Sequence, residues 1–128
     1  MRSLWFVPVL LLVSFNCGGD ASTPAREYTL HLRAEENGEK YDFVAEDPID
    51  IKIGDRVTFD MRNAGQLGHN FRVTDARSST VGFADVVAPG ASLQVVVTFE
   101  EPGMYRLACD FDDHLTKYDM QAIIEVTL

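Results

Sequence analysis

The amino-acid sequence predicts an all-β protein, an antiparallel β-sandwich of about seven or eight strands. Three observations carry that expectation. From Tyr28 onward apolar residues recur with a period of two rather than 3.6; helical periodicity is nearly missing; and turn signals rich in glycine, proline, aspartate and asparagine interrupt the alternation at short intervals. With 128 residues, 46% of them hydrophobic, the chain has room for one domain with an ordinary core. Repeats and low-complexity tracts are absent.

Residues 1–16 carry a positive start at Arg2 and an apolar run from Leu4 to Phe15, interrupted by Pro8. The run is too short to span a bilayer and reads as a secretory signal peptide. Cys17 follows at once, and residues 17–26 form a small, polar tether beginning Cys17-Gly18-Gly19-Asp20. The cysteine at that junction resembles a bacterial lipoprotein cleavage site, in which Cys17 is lipidated and becomes the mature N-terminus; the alternative is plain secretion with cleavage near Gly19-Asp20-Ala21. Either way the chain is expected in the periplasm or cell envelope, touching the membrane only through a lipid anchor at Cys17. Residues 27–128 are the folded domain.

Along that domain, Tyr28, Leu30 and Leu32 alternate with polar residues as a first strand, leaving His31 on the solvent side. Glu35 to Lys40, containing Asn37-Gly38, reads as a turn. Tyr41, Phe43 and Ala45 form a second strand that stops before Asp47-Pro48, since proline cannot donate to a central ladder. Ile49, Ile51 and Ile53, then Val57, Phe59 and Met61, predict two strands paired across a tight Gly54-Asp55 turn. His69, Phe71 and Val73 share one phase, so His69 points to the core side. Asp75 to Val87 has no clear period and reads as an irregular crossover. Leu93, Val95, Val97 and Phe99 form the cleanest strand, Tyr105, Leu107 and Cys109 another, and Met120, Ala122, Ile124, Val126 and Leu128 the last.

Four side chains with metal-binding chemistry therefore sit at strand ends on the core side: His69, Cys109, His114 and Met120. A thiolate, an imidazole and a thioether lie within the twelve residues Cys109 to Met120, and soft sulfur with borderline nitrogen is a donor set that suits copper. Cysteine count sharpens this reading. Only Cys17 and Cys109 exist, so once Cys17 is removed or acylated Cys109 has no disulfide partner, and a free thiol in an exported protein is open to oxidation unless a metal holds it.

Cys109-x4-His114-x5-Met120 with upstream Gly68-His69-Asn70 resembles the type 1 copper proteins, the cupredoxins such as azurin, plastocyanin and auracyanin. Phe111 between the cysteine and histidine, Ile51-x-Ile53-Gly54-Asp55-x-Val57-x-Phe59 and Pro102-Gly103-x-Tyr105 extend the likeness from about Tyr41 to the C-terminus. The resemblance implies a Greek-key cupredoxin sandwich holding one type 1 copper. His69, Cys109 and His114 are its equatorial ligands and Met120 its axial one. Asn70 pins the ligand loop, Gly68 and Phe111 pack beside the metal, and the His114 edge is the electron port.

Two departures accompany the likeness: five residues separate His114 from Met120 where relatives usually have three or four, and the loop carries Asp110, Asp112, Asp113 and Asp119. Negative charge there favours Cu(II) and predicts a lowered reduction potential. The implied function is one-electron transport between protein redox partners; the alternative is a copper carrier or chaperone that does not redox cycle. An enzyme is not expected, because multicopper oxidases and copper nitrite reductases need further histidine-rich sites and this chain has three histidines. The net charge of −9, about −10 once Arg2 is removed with the signal, excludes nucleic acid as a natural partner and favours a basic docking face on a protein.

Overall fold

In the computed structural model, which describes residues 25–128, two sheets pack face to face. The segments expected to be a signal peptide, residues 1–16, and a tether with Cys17, apart from Ala25 and Arg26, lie outside the described residues. One sheet contains β1 (Glu27–Asn37), β2 (Lys40–Ala45), β4 (Arg56–Asn63) and β7 (Ser92–Thr98) in the order β2-β1-β4-β7. The other contains β3 (Ile51–Lys52), β5 (His69–Thr74), β6 (Thr80–Val87), β8 (Gly103–Ala108) and β9 (Gln121–Thr127) in the order β3-β9-β8-β5-β6.

The alternation seen in the sequence decides which faces meet. Leu30 and Leu32 of β1, Val57, Phe59 and Met61 of β4, and Leu93, Val95 and Val97 of β7 are buried, as are Phe71 and Val73 of β5 and Tyr105 and Leu107 of β8. Phe59 lies between the rings of Phe71 and Phe99, at centroid distances of 5.5 and 6.2 Å, a geometry aromatic pairs favour.

Several features differ from the sequence expectation. Nine strands are present among the described residues, and two pairings are parallel, β1 with β4 and β3 with β9. Side-chain alternation is the same in both ladder types, so the sequence pattern carries no sign of direction. The Gly54-Asp55 turn exists, with the Asp55 N–H donating to Lys52 O at 3.1 Å and Gly54 at φ +88°. It does not close a hairpin, because it hands the chain from β3 in one sheet to β4 in the other. Ile53, inside this turn, is exposed, and Leu128, past the end of β9, is 84% exposed.

The irregular crossover expected over Asp75 to Val87 contains β6, paired antiparallel with β5. Its inward residues are small: a Cβ on Gly82 would come within 2.6 Å of Val95 Cγ1, so only glycine lets β6 lie that close to β7. Its large apolar residues, Val81 and Phe83, face outward, where the Arg72 guanidinium covers the Phe83 ring at 4.5 Å. Large-out and small-in is the reverse of the pattern by which a strand is recognised.

The entry to β4 is held by a buried carboxylate. Asp55 accepts from Arg26 Nε (3.0 Å), Arg26 Nη2 (2.5 Å), Tyr28 OH (3.1 Å) and the Lys52 N–H (2.9 Å). The Arg26 guanidinium above all holds this carboxyl below the ordinary aspartate range. A depressed pKa stabilises the fold above the unfolded value and that contribution is lost as pH falls through the folded one. Asp55→Asn is expected to be less stable at about pH 7 and to lose less stability than wild type on going to about pH 3, as measured by urea midpoints across that range. Equal acid sensitivity in the two proteins would show that other carboxylates dominate.

Candidate metal centre

The five-stranded sheet brings three donor atoms to one end of the sandwich. His69 opens β5, Cys109 follows the last residue of β8, and His114 lies in the loop between Cys109 and β9. Cys109 Sγ is 3.7 Å from His69 Nδ1 and 3.4 Å from His114 Nδ1, and one ligand atom from each residue falls within 4.8 Å of the others. His69, Cys109 and Met120 are 0% exposed and His114 3%. Met120 is tied to the same place by its backbone: its N–H donates to His114 O at 3.0 Å and its carbonyl accepts the Cys109 N–H at 3.1 Å.

The longer spacing between His114 and Met120 is absorbed in helical turns. The Lys117 N–H donates to Asp113 O (2.9 Å) and the Asp119 N–H to Leu115 O (3.1 Å), so the additional residues coil rather than push Met120 outward. Asp112 and Asp119 sit at φ +53° and +51°, a left-handed conformation that aspartate tolerates better than most residues. Two of the four loop carboxylates thus stand where the backbone needs such a residue.

A third, Asp110, joins the two ligand segments. The Asn70 amide oxygen accepts the Asp110 N–H at 3.0 Å, while Asn70 Nδ2 donates to Asp110 Oδ1 at 2.6 Å and Arg72 Nε to Asp110 Oδ2 at 2.7 Å. Burial raises the Asp110 pKa, but the bonds from Asn70 and Arg72 outweigh it and hold the carboxyl below the ordinary range. On the other side of His69, an added Cβ at Gly68 would meet Val86 Cγ1 at 2.8 Å and approach Phe111 Cε1 at 3.6 Å, so the position admits no side chain without displacement. Buried Asn63 holds the preceding loop, donating from Nδ2 to Leu67 O (2.7 Å) and Val87 O (3.0 Å) and accepting the Gly65 N–H (3.0 Å).

Two groups at this end escaped the sequence reading. The sequence pattern puts Glu36 in a turn, but β1 runs through it to Asn37 and the turn is confined to Gly38-Glu39. There its carboxylate accepts from His69 Nε2 at 2.5 Å, from the Gln66 N–H at 2.8 Å and from the Leu67 N–H at 3.2 Å. The Tyr41 ring stacks on Tyr118 with centroids 4.0 Å apart and meets the His114 ring edge-on at 5.1 Å. A glutamate preceding Asn-Gly looks like turn composition, and nothing local announces its distant partner.

Tyr41 and, on another side, Phe111 at 5.6 Å close around His114. That imidazole therefore does not present an exposed edge, contrary to the sequence expectation. Phe111, 40% exposed, forms part of the surface over it. His31 is exposed and bonded to Asp47, as its polar phase predicted.

Burial pushes the Cys109 thiol up and the His69 imidazole down, in the second case against the pull of Glu36. The donor set, two Nδ1 atoms and a sulfur with a buried thioether beside them, fits a soft or borderline metal. Bond lengths of about 2.0 Å to nitrogen and about 2.3 Å to sulfur span the observed S···N separations, and copper suits this mixture of ligands.

The profile of the cupredoxin-like domain family matches residues 42–120, and no curated protein sequence matches significantly. Among solved structures, dithionite-reduced auracyanin from the photosynthetic bacterium Roseiflexus castenholzii superposes with a TM-score of 0.63 at 16% identity, covering 81% of this chain and 100% of that one. Rusticyanin from Thiobacillus ferrooxidans gives 0.61 at 17% identity, over 80% and 79% of the two chains. Copper nitrite reductase from Nitrosomonas europaea gives 0.61 at 20% identity, and the matched part is 80% of this chain but 42% of that one.

Proposed function

The chain belongs to the cupredoxin-like domain family, and on that premise we propose that it is a type 1 copper protein carrying single electrons between protein redox partners in the cell envelope. His69, Cys109, His114 and Met120 are the residues that would hold the copper. Bound copper supplies the one-electron exchange between Cu(I) and Cu(II). The observation that carries this reading is that three buried donor atoms, from His69, Cys109 and His114, lie within 4.8 Å of one another, with buried Met120 tied to the same segment by its backbone. A catalytic metal site keeps a position open for substrate; a carrier needs the reverse, a closed and rigid set of ligands.

Each neighbouring residue contributes to that rigidity. Asn70 and Asp110 lock the His69 and Cys109 segments together, Gly68 lets Phe111 and Val86 close over the site, and Tyr41 and Phe111 pack against His114. Exposed Phe111, rather than the imidazole itself, is the surface a partner meets over His114. The same burial disfavours a copper-handling role without redox cycling, since metal transfer needs ligands that a recipient can reach. Location in the envelope rests on the N-terminal sequence; among the described residues no helix is long and apolar enough to cross a membrane.

Adding one equivalent of Cu(II) to the metal-free protein tests the reading. The expected result is an intense thiolate-to-copper charge-transfer band with a narrow copper hyperfine splitting. An ordinary tetragonal Cu(II) spectrum would overturn the type 1 assignment and make copper handling the better account.

Charge on the loop sets a second expectation. Asp110 is paired with Arg72, whereas Asp112 and Asp113 have no ion pair among the described residues. A solvated charge about 10 Å from the site is worth about 0.4 kcal/mol in a water-like dielectric, or about 20 mV for one electron. The double variant Asp112→Asn, Asp113→Asn is expected to raise the potential by a few tens of millivolts at low salt and by less at high salt. An unchanged potential at low salt would remove these carboxylates from the account.

A further inference from the structure

The arrangement behind His69 points to a specific determinant of the redox centre. Its Nδ1 faces the Cys109 sulfur at 3.7 Å, which leaves Nε2 directed away from the ligand cluster and against Glu36 Oε1 at 2.5 Å. The Glu36 side chain is 10% exposed and its partner 0%. Both its oxygens are occupied by N–H donors, from the His69 ring, Gln66 and Leu67. Glu36 comes from β1 in the first sheet and His69 from β5 in the second, so the contact joins the two sheets.

We infer that Glu36 is the positioning residue that holds His69 in its Nε2–H tautomer and, by placing a negative charge one imidazole ring from the metal, lowers the reduction potential of the centre. The inference rests on the copper reading proposed above. A carboxylate accepting the far N–H of a ligating histidine fixes the ring's orientation and makes its other nitrogen a stronger donor. A stronger donor with an added negative charge stabilises Cu(II) more than Cu(I), because the oxidised ion carries the greater charge. Asp112 and Asp113 act through solvent, whereas Glu36 acts through a hydrogen bond in a water-poor interior, where electrostatic effects are stronger.

Glu36→Gln removes the charge and keeps an oxygen for the His69 N–H. Losing a partner of a metal-binding histidine typically changes metal affinity about 10–100-fold. Were that loss confined to Cu(II), the Cu(II)-over-Cu(I) preference would fall by the same factor, a rise in potential of about 60–120 mV at 59 mV per tenfold. Glu35→Gln, an equal change of net charge on the preceding residue, is expected to leave the potential nearly unmoved. If Glu36→Gln keeps the charge-transfer band and shifts the potential no more than Glu35→Gln does, the inference is overturned while the type 1 reading stands.

A second measurement needs no copper and no variant. In metal-free protein with 15N-labelled histidine, the His69 ring is expected to show a hydrogen-bonded Nε2 proton and an unprotonated Nδ1. A proton on Nδ1 alone would overturn the inference. Absence of the blue band in wild type, with the Nε2–H tautomer present, would instead sink the copper reading and leave the Glu36–His69 pair intact.

Discussion

Cys109→Ser is expected to abolish the charge-transfer band completely while leaving the metal-free fold nearly unchanged. Sulfur is the only soft, anionic donor among the described ligand candidates, and the band requires electron density moving from that sulfur to copper. Serine matches the cysteine in shape, and its hydroxyl finds acceptors at once, because the Nδ1 atoms of His69 and His114 lie 3.7 and 3.4 Å from the sulfur it replaces. The metal-free variant should therefore unfold within about 1 kcal/mol of wild type, in line with a nearly isosteric change that keeps its hydrogen bonds. The contrast lies in the response to metal. A ligand present at 1,000 times its Kd stabilises the native state by about 4.1 kcal/mol, so copper should raise the wild-type melting temperature strongly and that of the variant little. An equal copper-induced shift in both proteins would place the binding site away from Cys109.

Phe71→Ala is expected to produce the largest loss of stability of any single change considered. Phe71 is 0% exposed, lies on β5 two residues from His69, and contacts the rings of Phe43 and Phe59 at 5.4 and 5.5 Å. Removing a buried phenylalanine side chain costs about 3–5 kcal/mol, part of it from the cavity left behind. With an m-value of about 2 kcal/mol per molar, the urea midpoint falls by about 2 M. Ile123→Ala, on an outward position 55% exposed, should move the midpoint by less than about 0.5 kcal/mol equivalent. The cavity also lies beneath the start of β5, so the surviving Phe71→Ala protein should show a broadened copper spectrum. Equal midpoints for the two variants would mean that the inner face of β5 contributes no packing.

The sites that could be read directly from the chain were those whose chemistry is local. His69, Cys109, His114 and Met120 stand out by residue type, and the two-residue period places three of them on the core side of a strand or at its end. Asp112 and Asp119 were visible as unusual loop residues, but their left-handed backbone was not. β6 was missed because its inward residues are glycine and alanine and its large ones face solvent. Glu36 was missed because its role depends on a residue 33 positions away, and no periodicity reports on such a pair.

Alternation of apolar and polar residues is a property of each strand by itself, and it was enough to determine an all-β sandwich, the inward faces and a cluster of sulfur and imidazole at the strand ends. Strand direction and sheet membership depend on which ladder closes with which neighbour. Only the tertiary structure decided that β1 lies parallel to β4, that β3 leaves its sequence neighbour to pair with β9, and that His114 is covered by Tyr41 and Phe111. The same holds for Glu36. Its turn-like surroundings describe a solvated carboxylate, and only the packing of one sheet on the other converts it into a buried charge against His69. Burial and hydrogen-bond partners belong to pairs of distant segments, so they come into being when the two sheets meet.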